Sequence, residues 1–335
     1  MWFRNLLGFD EKHPDQVRDQ LHVADGIMSS KANGRSFRCG ELETPSLQEL
    51  RVLTESLLSS GDQASSITEI VANVEDLHGS SENAGALFQV ASQFNLLEMV
   101  NPGVTPEAGV DIYERDFTQG PACAIACGAG TVYRNYFSKV GPSQIGQTKE
   151  CQIDCLSDLG GAMKNEHSRL WQMENGYCFA TRSGLQKIGN LLKESDEREV
   201  DALRSKLRIG MQWNTEVTLS GAGHLVSQAY CSALPVAYSV HSESAWEPFA
   251  RLILEASYEA TLRAAMLNFD RNGRPDVYLT LLGGGAFGNA QTWILDAMAR
   301  AFRITRSAGL KVQIVNFAQS DPNIRQFAER LTASF

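Results

Sequence analysis

The chain has 335 residues, 43% of them hydrophobic, and 30 Lys and Arg against 39 Asp and Glu leave a formal net charge of −9. That length and apolar fraction can bury a sizeable core in one elaborated domain or two, while the acidic balance argues against a nucleic-acid partner, which calls for a basic face. No apolar run approaches the roughly 20 residues of a membrane span, and the opening MWFRNLLGFDEKH is too short and too charged for a secretory leader.

The expectation is therefore a cytoplasmic protein with no nucleic-acid and no membrane partner; the oligomeric state is not legible. Seven scattered cysteines, an odd number, read as reduced thiols rather than a disulfide framework. In SLQELRVLTESLLSS, residues Leu47, Leu50, Leu53, Leu57 and Leu58 share one helical face. With the charged opening and a polar turn at Lys31–Arg35, this makes residues 1–62 an N-terminal helical extension. The core, 63–335, opens with a strand at Ile67–Val74 and an apolar run at Leu87–Ala91. Residues 101–121 then form a long polar loop with three glycines and three prolines, and a loop of that length inside a domain is usually functional.

ACAIACGAGTVYRNYF has the small residues of a tightly packed helix, in which Tyr133, Arg134, Asn135 and Tyr136 either pack or line a cleft. Residues 138–212 read as a helical insertion, with CQIDCLSDLGGAM and GLQKIGNLLKES as amphipathic helices and Trp171 and Tyr177 between them. A regular alternation follows: strand Leu225–Cys231, helix Phe249–Leu267, strand Val277–Leu282, helix Gln291–Phe302, strand Val312–Phe317 and helix Pro322–Thr332. Such alternation implies a layered α/β fold with a mixed, largely parallel sheet.

The strongest local signal is VYLTLLGGGAFGN, Val277–Asn289, where a strand runs into three glycines, an aromatic, another glycine and then a helix. Such a loop exposes successive N–H groups and lets the backbone approach a diphosphate closely. It is neither a P-loop nor a GxGxxG fingerprint. The same glycines could serve a purely structural turn, but Phe287 adds little to folding in a solvent-facing loop and could cover a ribose or base.

The order of these pieces resembles the macrodomain family over about residues 65–137 and 212–333. The resemblance rests on NVEDLH, VASQFN, VNPGVTPEAGVDIYERDFTQGP and the run from Val277 to Thr332. It implies a three-layer macrodomain-like fold that binds ADP-ribose. Asp76 would accept a hydrogen bond from the adenine amino group and Asn95 would fix the distal ribose. Gly283, Gly284, Gly285, Ala286, Phe287 and Gly288 would wrap the diphosphate and distal ribose, with Gln119, Ser232 and Asn289 as further contacts. The loop lacks the family's usual run of glycines and the paired glutamates of the poly-ADP-ribose glycohydrolases. NLLE, TPEAG and YERDFTQGP look more like the divergent branch that includes the effector MavL, which acts on ADP-ribosyl-arginine.

Cleavage at C1 of a ribose passes through an oxocarbenium-like transition state and needs a carboxylate to activate water or stabilise charge. Glu98, Glu107, Asp111, Glu114 and Asp116 are available. Asp116 ranks first because the turn Thr118–Pro121 offers backbone donors to orient it; Glu98 and Glu107 follow. Any one acid in a polar loop is more often plain solvated surface, yet a cluster would also suit a guanidinium.

The expected function is an ADP-ribosyl hydrolase acting on mono-ADP-ribosylated protein side chains, with no metal and no cofactor. A non-catalytic ADP-ribose reader, or an enzyme acting on a small nucleotide, would use the same pocket. Cys123/Cys127 and Cys151/Cys155 have helical spacing but no histidine cluster beside them, so buried thiols explain them. No GxSxG elbow supports a serine hydrolase.

Overall fold

A computed structural model describes residues 1–59, 63–142 and 144–333. The chain begins with α1 (Trp2–Leu7), α2 (Pro14–Gln20), β1 (Leu21–Ala24), β2 (Ile27–Ser30), β3 (Ser36–Arg38), β4 (Glu41–Glu43) and α3 (Leu47–Ser59). The expected helices of this stretch are joined by a small antiparallel sheet, β1-β2-β3, which helical periodicity alone did not include. Its signal is Asp25-Gly26, at φ 51° and 72°, a two-residue turn whose twist matches a hairpin. The expected end of the extension, at residue 62, lies outside the described residues.

Next come β5 (Ser66–Val71), α4 (Val74–Gly79), β6 (Leu87–Ala91), α5 (Gln119–Ala126) and α6 (Gly128–Tyr136). The expected first strand stops at Val71 because Asn73 caps a helix there, its side chain accepting the Glu75 N–H at 3.0 Å. The single helix expected over ACAIACGAGTVYRNYF is two, broken at Cys127, whose φ −113° and ψ 58° are not helical.

The insertion holds β7 (Lys139–Val140), β8 (Gln144–Ile145), α7 (Ser157–Ala162), β9 (Trp171–Glu174), β10 (Tyr177–Ala180), α8 (Arg182–Glu194) and α9 (Glu197–Arg204). Two hairpins thus accompany the expected helices. In CQIDCLSDLGGAM only the second half is helical, because the Asp154 side chain takes the Leu156 N–H at 2.8 Å and turns the chain.

The remainder is β11 (Gly210–Glu216), β12 (Leu225–Cys231), α10 (Glu243–Asn272), β13 (Asp276–Leu279), α11 (Gln291–Ile304), β14 (Lys311–Asn316) and α12 (Pro322–Ala333). Helix α10 outruns its expected Phe249–Leu267 at both ends and closes at Gly273, φ 68°. Strand β13 ends before Leu282 because the Tyr258 hydroxyl intervenes: it donates to Thr280 O at 2.7 Å and accepts the Leu282 N–H at 2.9 Å.

One seven-stranded mixed sheet runs in the order β4-β11-β12-β6-β13-β14-β5. Strands from β12 to β5 are parallel, and β11 runs antiparallel to both of its neighbours, β4 and β12. Strand β6 lies at the centre and its side chains define the layers. The Gln89 amide donates to Thr261 of α10 at 2.9 Å. On the opposite face, Phe88 stacks on His78 of α4 with ring centroids 3.8 Å apart. Helix α10 is therefore on one side, in contact with α3, α8, α9 and α11, and α4 with α5 on the other, a three-layer α/β fold as expected. All seven cysteines are free.

Across the α10 layer, Glu259 receives Arg51 at 2.7 Å, Arg263 at 3.0 Å and Arg300 at 2.6 Å, while Asp201 of α9 shares Arg51 at 2.7 Å and Arg300 at 2.9 Å. Burial alone would raise the Glu259 pKa, but the hydrogen bonds and charges of Arg51 and Arg300 outweigh it and hold it at about 2 against an ordinary 4.5. A depressed carboxylate stabilises the fold fully above its unfolded pKa and loses that contribution as pH falls toward its folded value. Thermal unfolding should therefore show stability declining on acidification from pH 4.5 toward 2. Glu259→Gln should reduce that decline and cost about 3–5 kcal/mol at neutral pH by stranding buried arginines.

Candidate functional site

The parallel strands β6, β12 and β13 end on the same edge, where ligands of open α/β sheets bind. A cavity of about 250 Å³ lies there, lined by residues following each strand: Ser92, Gln93, Glu98 and Met99 after β6, Ala233 and Tyr238 after β12, and Thr280–Gly283 and Gly285–Phe287 after β13. Residues Asp116 and Thr118–Pro121 form the facing wall, and Tyr177 reaches in from the insertion.

The glycine-rich loop is built as its composition requires. Gly283 and Gly288 have φ 74° and 71°, a region that side chains other than glycine adopt at a cost. A Cβ on Gly283 would overlap Ala233, and one on Gly288 would sit 2.8 Å from Ala237 Cβ. The loop closes on itself through Gly288 N–H to Gly285 O at 3.0 Å and Asn289 N–H to Gly283 O at 2.9 Å. The N–H groups of Gly283, Gly285, Ala286 and Phe287 have no acceptor among the described residues, and these four residues line the cavity. Gln119 and Gly120, on the opposite wall, likewise keep unpaired N–H groups at the start of α5. The Gln119 side chain ties that wall to β6 by accepting from Ala91 N and donating to Gln89 O, both at 2.9 Å.

Two of the three expected acids meet in this cavity. Glu98 is buried, with both carboxylate oxygens 3.4 Å from the Arg134 guanidinium and its own N–H donated to the Tyr113 hydroxyl at 3.0 Å. Burial pushes its pKa up to about 7, with the Arg134 charge pulling the other way. Asp116 is half-buried and accepts the Thr118 N–H at 3.0 Å. Glu107 lies outside the cavity, where one oxygen takes the Lys149 N–H at 2.8 Å and the other is buried without a partner among the described residues.

Glu114 is likewise a brace, accepting the Trp2 N–H at 3.1 Å, and Asp111 sits on the same braced turn. The loop bearing these acids is held mainly by Glu11. That carboxylate accepts Val110 N–H at 3.0 Å, Asp111 N–H at 2.6 Å and the Tyr136 hydroxyl at 2.6 Å.

The expected ligand contacts divide. Gln119, Gly283, Gly285, Ala286 and Phe287 line the cavity; Asn95, Ser232, Gly284, Gly288 and Asn289 do not. Asn95 donates to Gln152 at 2.8 Å, the Ser232 hydroxyl donates to Ala233 O at 3.0 Å, and Asn289 donates to Leu234 O at 2.8 Å. A Cβ on Gly284 would point at Ile294, whereas one on Gly285 would meet open space. Asp76 is exposed on α4, off this cavity.

Not foreseen were Tyr177 and Tyr238, whose rings close around Phe287 with centroids 5.5 Å and 5.6 Å from it. The Tyr177 hydroxyl donates to Met99 O at 2.8 Å, fixing the insertion to the loop after β6. The available signal was Asn175-Gly176, a hairpin turn at φ 46° and 81° directly before Tyr177. Among the described residues no group of three or more His, Cys, Asp or Glu could hold a metal, and no helix is long and apolar enough to cross a membrane.

No protein-family model and no curated protein sequence matches the chain. Among solved structures it is similar to poly(ADP-ribose) glycohydrolase from Thermomonospora curvata, at 11% identity and a TM-score of 0.45 over 96% of this chain and 95% of that one. The same enzyme bound to the inhibitor ADP-HPD gives 10% identity and a TM-score of 0.43 over 96% of each chain. A single-substitution mutant of the Deinococcus radiodurans enzyme in complex with ADP-ribose gives 15% and 0.42 over 87% of this chain and 92% of that one.

The Glu98–Arg134 pair makes a direct prediction. Arg134→Met should destabilise the protein by about 3–5 kcal/mol in chemical denaturation, because it leaves a buried carboxylate unpartnered, and adding Glu98→Leu should restore most of the loss.

Proposed function

We propose that this protein is an ADP-ribosyl hydrolase that releases ADP-ribose from modified protein side chains, arginine among them. One observation carries the reading: unpaired amides of the glycine-rich loop and a buried carboxyl, Glu98, share one cavity. Fixed N–H groups are what a diphosphate requires of a site in an acidic protein, and a carboxyl with its pKa near 7 is matched to moving a proton at neutral pH.

The strand order supplies the length. From β6, where Glu98 follows, the edge passes β13 with its glycine loop and β14 to β5, three strand spacings of about 4.8 Å each. At the far end Phe317, 76% exposed just after β14, gives an aromatic face, and Asp76 on α4 gives an acceptor for an adenine amino group. An extended ligand would thus present base, diphosphate and distal ribose in that order, ending at Glu98.

In the reaction, Glu98 as carboxylate takes a proton from water while the water oxygen bonds to C1. The C1–N bond breaks, its electron pair leaves with the guanidine, and the proton passes on to that guanidine. Asp116, at the cavity wall, faces the departing cation. Glu107 serves by holding its loop against Lys149.

A second reading, a module that binds ADP-ribose without cleaving it, draws on one fact: Glu98 is already engaged by Arg134. Calorimetric titration with ADP-ribose, alongside turnover of an ADP-ribosylated protein, separates the two. The hydrolase should bind ADP-ribose, and Gly285→Glu, which places a charged side chain in the cavity, should weaken binding at least ~10-fold, about 1.4 kcal/mol. Glu98→Gln and Asp116→Asn should each lower turnover about 100-fold or more while leaving binding within a few-fold. Binding without turnover would establish the reader, and absence of saturable binding would end both readings.

The pH profile follows the same residue. Glu98 must be ionised to accept the proton, so turnover should fall as pH drops below about 7. Loss of activity instead on raising pH through that value would reassign Glu98 as the proton donor.

A further inference from the structure

Large apolar side chains are exposed on, or next to, residues that line the cavity. Phe117 is 96% exposed and Val240 99%, with Val100 at 53% and Tyr238 at 39%. Val100 and Tyr238 line the cavity itself, and Phe117 stands between two lining residues, Asp116 and Thr118. Val240 follows Tyr238 by two positions.

These residues come from three segments, after β6, before α5 and after β12, each of which contributes residues to the cavity lining. Nor are the segments loosely attached. Asp116 is tied by its N–H to Tyr113 O at 3.1 Å. The Ser239 hydroxyl, between Tyr238 and Val240, accepts from Trp246 Nε1 at 2.7 Å and from His241 N–H at 3.2 Å. Apolar side chains held out into water do nothing for the isolated fold, and a polar-rimmed group of them marks a surface that something covers.

Resting on the function proposed above, we infer that Phe117, Val240, Val100 and Tyr238 form a docking lip for the polypeptide segment that carries the ADP-ribosyl group. Whatever is attached to a ribose at Glu98 must leave through this mouth, so the lip is continuous with the reacting bond. Its chemistry selects among possible attachments. A chain of further ADP-ribose units is polyanionic and would meet apolar rings, the Asp116 carboxylate and a protein of net charge −9. A free nucleotide held in the cavity would not reach Phe117 or Val240, which lie outside its lining. A polypeptide presents apolar side chains to Phe117 and Val240 while its modified, cationic residue faces Asp116. The substrate class is then a protein segment with apolar residues flanking the modified one.

The test uses Phe117→Ser and Val240→Ser, singly and together, with unchanged melting temperature as the control for folding. Each variant is measured for ADP-ribose binding by calorimetry, for turnover of free ADP-ribosyl-arginine, and for kcat and KM on an ADP-ribosylated protein. The expected result is a rise in KM for the protein of about 10-fold or more in the double variant, as for loss of interface anchors, with kcat, ADP-ribose affinity and small-substrate turnover unchanged.

Unchanged protein KM in a wild type that binds ADP-ribose would overturn the lip alone. An equal loss on protein and on ADP-ribosyl-arginine would also overturn it, since the side chains would then act inside the cavity. Sedimentation that finds a dimer abolished by Val240→Ser would name a second copy of this chain as the occupant instead. A wild type that does not bind ADP-ribose would overturn the pocket assignment and the lip with it.

Discussion

A guanidinium buried away from water must have its charge and its donors answered, or the cost is several kcal/mol. Arg134 meets that demand by fixing three elements at once. From α6 its Nε donates to Leu96 O at 3.0 Å, one terminal nitrogen donates to the Tyr230 hydroxyl of β12 at 2.6 Å, and the other reaches Thr131 Oγ1 at 3.3 Å and Glu98 at 3.4 Å. Its Cζ lies 3.7 Å from the Tyr230 ring centroid, a cation–π contact. The loop after β6 therefore cannot shift without uncovering a charge. The polar chain continues inward, with Tyr230 donating to Gln228, whose amide meets His78 Nε2 at 3.1 Å. Burial holds the His78 pKa down at about 4, so this end stays neutral and the single cation of the chain remains beside Glu98.

That placement sets two effects against each other in one carboxyl. Burial favours the neutral acid and Arg134 favours the anion; burial wins, but only part of the way. A carboxyl with neither influence would stay fully ionised on the surface, and one buried without Arg134 would stay protonated at neutral pH. The intermediate value requires both the depth of the cavity floor and the guanidinium behind it.

What the sequence made legible was what local chemistry determines. The alternation of β12 to α12 and the turn chemistry of Gly283–Gly288 and Asp116–Thr118 are each specified within a few residues. The three consecutive glycines could not be told apart, because Gly284 and Gly285 differ only in whether a Cβ would face Ile294 or open space, and that is set by the packing of α11. Arg134 as partner to Glu98, and Tyr177 and Tyr238 as the collar of Phe287, depend on tertiary placement that helical or strand period does not encode. The break at Cys127 hid in a run of small residues equally compatible with one helix. Asp25-Gly26 and Asn175-Gly176, by contrast, were plain hairpin signals masked by the helical reading of their surroundings.

The N-terminal stretch before β4 and the insertion converge on the irregular loop 101–121. From the N-terminal side, Glu11 takes the N–H groups of Val110 and Asp111, and Glu114 takes that of Trp2. From the insertion, Asn175 donates to Pro102 O at 2.6 Å and Lys149 N–H to Glu107 at 2.8 Å, while Asn135 of α6 donates to Pro106 O at 3.0 Å. A loop of this length without regular structure has a large conformational entropy to lose, and its own short 3₁₀ turns cannot offset it. Distributing the anchors over elements from both sides does, and the stretch that borders the cavity mouth is held by Asp116, whose N–H goes to Tyr113 O and whose side chain takes the Thr118 N–H. The core sheet supplies the cleft and the glycine-rich loop; the additions to it fix the wall from which the acids face that cleft before any ligand arrives.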